Sequence, residues 1–295
     1  MTDALDWNEE QWSAVNKAVH DEALRARVAA SFLPLYGPLP ADTQSVPLNK
    51  LDLVANSSGS PEKRLEVIDY DTLRLTTVSV NVYLKGAQVA DPELAAAQIM
   101  FRRAAAVVAR VEDDIIFNGQ PGTGLAPKHA SGAPASLPPI YTVSGGGKYP
   151  GLVEAGEDPS ASTAAKKKTC TGTEVFEAVV AGINKLESHG YLGPYACVMG
   201  NGLFQAVTTP LPNSMVLPRD SILPFLDGPL LRSSTLPANK AVLVSLQGAP
   251  VEIVVPSDIA VKYLQTSAEG EHVFRVQQKF HLRIKEAQAI CTITC

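Results

Sequence analysis

The chain has 295 residues, 45% of them hydrophobic but only 6% aromatic, and carries a formal charge of -5. Such a length gives one large domain or two moderate ones an ample core, built mostly from aliphatic side chains. The acidic balance excludes a global basic field for nucleic acid or an anionic membrane, and the four cysteines, none in a C-x-x-C pair, argue against a zinc knuckle or a disulfide framework.

Residues 8–32 read as one helix, because Trp12, Val15, Val19, Leu24, Val28 and Phe32 recur at spacings close to three and four. The start, MTDALDWNEEQW, is acidic and polar, so no secretory leader is expected. No run of about 18 apolar residues follows, and a cytoplasmic protein is the expectation. The prolines and glycine of PLYGPLP end the helix. Polar NSSGSPEKR (residues 56–64) reads as a loop tip feeding a long hairpin arm. Val78, Val80, Val82 and Leu84 then alternate with Ser79, Asn81 and Tyr83, a strand with one buried face.

Asp91-Pro92-Glu93-Leu94 has the chemistry of a helix start, with Asp91 as cap and Pro92 in the first turn. From there Leu94, Ala97, Phe101, Ala104, Val108, Val111 and Ile115 keep one stripe to about Asn118, the longest predicted element. Residues 119–170 are rich in Gly, Pro, Ala and Ser and read as one long irregular segment. Thr171 and Glu174 form a plausible capping box for a helix ending at His189-Gly190. YACVMG (195–200) is a short buried strand and NGLFQAV a short helix. From Lys240 the chain is mainly β. Helices and strands are not regularly interleaved, so the fold class is α+β.

Reactive constellations are scarce. GGGK (145–148) is followed by Tyr149, not the Ser or Thr that a phosphate loop needs. There is no G-x-S-x-G or H-E-x-x-H, and His20, His129, His189, His272 and His281 fall in different predicted elements. Cys291 and Cys295, on one face of a strand, could chelate a soft metal, but ordinary thiols at a free, frayed chain end are the preferred reading. Lys166–Lys168 could attract an anion or simply be solvated. VEDDIIFNG (111–119) holds three adjacent acids. On a helix, Glu112, Asp113 and Asp114 fan out by about 100° each and cannot share one focus. They sit at the unfavourable end of the dipole, so an offsetting cation is expected from Arg102, Arg103, Arg110 or another subunit. No cofactor or metal is implied.

Several segments together resemble an encapsulin, a bacterial or archaeal shell protein with the fold of tailed-phage major capsid proteins (the Hong Kong 97 type). They are the first helix with YGPL, DPEL, VEDDIIFNG, GPYACVM, AVLVSLQG, DIAVKYL and FHLRIKEAQAI, in the family's order and spacing. Lys262 stands where the family has Gly, Ala287-Gln288 where it has Pro-Glu, and the segment after Gly119 is longer than usual.

The resemblance implies an N-terminal helix (1–40), an extended arm (41–90), a peripheral domain with spine helix and long loop (91–173), an axial domain (174–246) and strands returning to the periphery (247–295). It further implies a self-assembling icosahedral shell that is not an enzyme. Such a shell encloses a peroxidase or ferritin-like iron protein through that cargo's C-terminal peptide, with no nucleic acid and no membrane. Leu24, Val28 and Phe32 on the first helix are candidates for the docking groove, and Glu112, Asp113 and Asp114 for structural ion pairs. The alternatives are a prophage major capsid protein and, from another class, a small hydrolase using Asp113 or Asp114 with His189 or His281.

Overall fold

In the computed structural model the residues described are 7–55, 63–125, 137–157, 170–211 and 216–295. Most of the expected loop tip 56–64, His129 and Lys166–Lys168 lie outside them. Helix α1 (Glu9–Ala26) starts on a capping box in which the Gln11 N–H donates to Asn8 Oδ1 at 2.8 Å and the Asn8 N–H to Gln11 Oε1 at 3.0 Å. It ends six residues before Phe32, where the apolar spacing placed its end, and a single 3-10 turn follows at Ala29–Ser31. The cause lies outside the helix: Arg27 and the backbone of Val28 and Ala29 are drawn onto the far end of the long helix described below.

Strand β1 (Leu35–Tyr36) leads into a two-stranded ribbon. In it β2 (Ser45–Pro47) and β3 (Lys50–Ala55) run antiparallel to β4 (Lys63–Ile68) and β5 (Thr72–Arg74), with Val46 opposite Leu73 and Leu51 opposite Val67. Arg283 holds its base by donating to the Pro47 carbonyl at 3.1 Å. Strand β6 (Thr76–Leu84) buries Val78, Val80, Val82 and Leu84, and the short helix α2 (Gly86–Val89) follows.

Helix α3 (Ala95–Asn118) begins later than Asp91. The Asp91 carboxylate does cap, accepting from Glu93 N at 3.1 Å and Ala95 N at 3.0 Å. Between them Leu94, buried, turns through the left-handed region at φ 50°. Over 24 residues the helix spans about 36 Å. Gly119 stops it at φ 80°, packed so closely that a Cβ would collide with the backbone of Tyr149 and Gly151.

Residues 119–170 are less irregular than their composition suggests. They contain β7 (Tyr141–Gly145), which joins the sheet beside β6, and α4 (Leu152–Ala155), which buries Leu152. GGGK is the end of β7 and a turn with positive φ at Gly145 and Gly146.

The second half builds a smaller module. Helix α5 (Gly172–Ser188) carries the Thr171–Glu174 capping box, then come β8 (Tyr195–Gly200), α6 (Asn201–Thr208), α7 (Pro218–Leu226), β9 (Leu230–Ser233) and β10 (Lys240–Ser245). Two prolines in nine residues hide α7 from a periodicity reading. Pro218 sits in the first turn, where its missing N–H costs nothing, and Pro224 lies inside.

Strand β11 (Val251–Thr266) runs through VEIVVP and IAVKYL as one element, its register shifts absorbing Pro256. It pairs with β12 (His272–Ile284), and β13 (Ile290–Thr294) closes the fold. The larger sheet has the order β1-β11-β12-β6-β7 and the smaller β13-β10-β8-β9. Thus β11 and β12 return to the first sheet, whereas β13 joins the second by pairing with β10.

Helices α1 and α3 cover the larger sheet over a core that includes Trp7, Phe101, Phe117, Phe274 and Phe280. Trp7 stacks on Phe274 at 4.9 Å and its indole N–H donates to the Val89 carbonyl. All four cysteines gather in or against the other core. Cys170 and Cys295 form a disulfide with Cα atoms 5.8 Å apart, while Cys197 and Cys291 are buried. The expectation of ordinary thiols at the chain end is therefore corrected for Cys295: β13 brings it to the entrance of α5, beyond anything its spacing to Cys291 could indicate.

Candidate functional site

The three acids of VEDDIIFNG lie inside the protein, with Glu112 at 1%, Asp113 at 2% and Asp114 at 0% exposure. Each has its own partner, as their divergence around the helix requires. Glu112 meets Arg27, with Oε2 2.7 Å from Nε. Asp113 accepts from the Val28 N–H at 2.9 Å and the Ala29 N–H at 2.8 Å, satisfying donors left open at the start of the 3-10 turn that follows α1. Asp114 accepts from Asn118 Nδ2 at 2.7 Å, and that amide also donates to the Thr235 carbonyl of the smaller module at 2.8 Å. The cation facing Glu112 is thus Arg27, eighty-five positions away in sequence, and not Arg102, Arg103 or Arg110.

Arg27 bridges further, donating from its other arm to Asp258 Oδ1 on β11 at 2.8 Å, and His20 stands 3.4 Å from the second oxygen of Asp258. Burial pulls the Arg27 guanidinium down, but the Glu112 and Asp258 carboxylates outweigh it and keep it charged. Burial pushes Glu112 up despite Arg27. It pushes Asp113 up to about 8, against the pull of the two backbone N–H groups. For Asp258, which is half-exposed, burial pushes upward but Arg27, the Ile259 N–H and His20 together outweigh it and hold the carboxyl below the usual range.

A cavity of about 260 Å³ opens over this joint. Arg27, Glu112 and Asp258 form its polar part, and Ala30, Leu35, Tyr36, Pro38, Val255 and Pro256 its apolar walls. Of the three residues singled out on the first helix, Leu24 is 57% exposed, while Val28 and Phe32 are partly buried and packed onto the main core.

The arrangement anchors a helix; it does not assemble a reaction centre. His281 is buried with its ring against Tyr149 and its Nδ1 accepting the Leu282 N–H, and burial lowers it to about 4. His189 caps the end of α5. Neither stands in an acid–base pair with Asp113, whose hydrogen bonds come from the backbone. Among the described residues no group of His, Cys, Asp and Glu could hold a metal, and no helix is long and apolar enough to cross a membrane.

On its outer surface the ribbon offers Leu65 at 66%, Val67 at 54% and Tyr70 at 79% exposure. Apolar side chains exposed together on a two-stranded edge are uncommon on a free surface.

Comparison with known proteins places these features. A family described as "Encapsulating protein for peroxidase" matches residues 2–134 and 140–281. The type 1 encapsulin shell protein EncA of Myxococcus xanthus is 26% identical over 97% of this chain and 92% of its own length. The diheme-cytochrome-encapsulin shell fusion protein of Kuenenia stuttgartiensis is 24% identical over 99% of this chain and 75% of its own. Among solved structures, a virus-like particle from Pyrococcus furiosus superposes with a TM-score of 0.64 at 12% identity, covering 96% of this chain and 99% of that one. The capsid of the myovirus XM1 gives 0.56 at 13% identity over 90% of each chain.

Proposed function

The chain belongs to the encapsulin family, with the capsid-type fold of that family's shells and a structural rather than an enzymatic task, and from that premise we propose that many copies close into an icosahedral compartment in the cytoplasm around a cargo protein. The observation that carries the proposal is the ribbon β2–β5. Its exposed Leu65, Val67 and Tyr70 would be hazardous on a monomer and are covered when each subunit lays its ribbon on the next.

The family's description points to a peroxidase as cargo; a ferritin-like iron protein is the other class that the sequence resemblance implies. The net charge of -5 favours a protein cargo over packaged nucleic acid, which would need a basic inner wall. The cargo's C-terminal peptide would dock beside the end of α1. There Leu24 is the exposed apolar anchor, and the cavity lined by residues 27–38, Glu112 and residues 255–258 offers a recess with apolar walls. Val28 and Phe32, packed inward, would shape that groove from beneath.

Negative-stain images of the purified protein should show hollow closed particles. Elution as a monomer or small oligomer would sink the proposal, and particles filled with nucleic acid would favour a phage capsid instead. Mass spectrometry of intact particles identifies the cargo. Leu24→Asp should leave particles intact and cut the co-purified cargo several-fold; an unchanged load would move the docking site elsewhere.

A further inference from the structure

We propose that the joint between α1 and α3 holds a proton, and that its loss loosens the N-terminal helix from the body, making this anchor sensitive to pH. The reason is a mismatch of charge in a buried place. From α3 come Glu112 and Asp113, and from β11 comes Asp258. Against these three carboxylates stands one permanent cation, Arg27, with His20 of α1 on the outer oxygen of Asp258 and the neutral Gln278 of β12 beside Glu112. The 3-10 turn contributes only the Val28 and Ala29 N–H groups.

Like charges on adjacent buried carboxyls disfavour each other's ionisation, and desolvation adds to that cost. Asp258 has Arg27, the Ile259 N–H and solvent, and Glu112 has Arg27 at 2.7 Å. Among the described residues Asp113 has no cation at hydrogen-bonding distance, so it is the group that keeps the proton.

The sign follows from linkage. Docked, Asp113 is raised to about 8; released into water it returns to the ordinary carboxyl range near ~4. Docking is therefore strongest below about pH 4, weakens by up to about tenfold in its equilibrium constant for each pH unit above that, and levels off above about 8.

The protein carries its own reporter, because both tryptophans, Trp7 and Trp12, lie in the N-terminal segment and pack at 4.9 Å and 6.3 Å from the Phe274 ring. The experiment follows tryptophan emission of the full chain through urea titrations over a series from about pH 5 to about 9, with light scattering on the same samples to read assembly separately. Buried His281, lowered to about 4, offsets the effect of Asp113 up to about pH 6.5, so the wild-type midpoint should fall between there and about 8 and flatten above. Asp113→Asn keeps an oxygen for the two N–H groups but cannot ionise, so its profile should lose the part of the fall that ends at about pH 8 and keep only what Glu112 and His281 contribute.

Glu112→Gln removes the neighbouring negative charge and should move the flattening to lower pH. A histidine's charge change falls in the same window, so His20→Gln is the control and should keep the wild-type slope. A flat wild-type profile would overturn the proposal. So would a fall between about pH 6.5 and about 8 that is unchanged in Asp113→Asn or absent in His20→Gln. Should Asp113→Asn fail to fold, a wild-type flattening point retained in Glu112→Gln overturns it equally.

Discussion

Arg27 is 8% exposed and serves two carboxylates on two different elements, Glu112 on α3 and Asp258 on β11. Removing one member of a buried pair leaves the other charged in a place that cannot solvate it. Arg27→Ala should therefore cost about 3–5 kcal/mol in chemical denaturation. Arg27→Lys should recover only part of that, since a single ammonium cannot offer two separated arms. A loss under about 1 kcal/mol for the alanine variant would mean that water reaches Glu112. At this scale the sequence was readable only halfway. Helical geometry alone separates Glu112, Asp113 and Asp114. Their partners could not be read, because Arg27 and Asp258 are 231 positions apart and share no periodicity with the acids.

Elements whose signals are local were legible: the Thr171–Glu174 box opens α5, the alternation of Val78 to Leu84 marks β6, and YACVMG is β8 residue for residue. Elements governed by distant contacts were not. The end of α1 is set by Asp113, the start of α3 by Leu94 at φ 50°, and β7 by its pairing with β6 inside a Gly- and Pro-rich stretch. At the other end of α3, Gly119 combines φ 80° with backbone contacts that leave no room for a side chain. Gly119→Ala should destabilise by more than about 1 kcal/mol, through strain in the left-handed region plus displacement of the 149–151 backbone. Denaturation midpoints compared with Gly248→Ala, a positive-φ glycine facing open space, separate the two contributions.

The whole molecule is two sheets, each with its own helices, joined where α3 ends: Asn118 reaches Thr235, and the return strands β11, β12 and β13 divide between the sheets. The fold class was visible beforehand through the mixed pattern of helices and strands and the family motifs. The division of the last strands was not, because a strand's alternation does not say which sheet it enters. Leu65→Asp with Val67→Asp, two positions on one face of β4, should leave the chain folded by circular dichroism yet abolish particles in light scattering. Intact particles from this variant would move the subunit contact away from the ribbon. Trimming the long loop to test assembly must spare residues 137–157, since β7 and α4 belong to the folded body.

The Cys170–Cys295 bond joins residues 125 positions apart and so encloses most of the smaller module and the long β11–β12 hairpin in a covalent ring. Under tension applied between the N-terminal segment and Cys295, force passes from Cys170 straight across the sulfurs, and the ring bears none of it. A single subunit drawn out in an optical trap should therefore show a contour length about 44 nm shorter when oxidised than after treatment with a dithiol. Mechanically, the part of the chain that holds all four cysteines is a closed loop hanging off the load path, and only its N-terminal half behaves as a string.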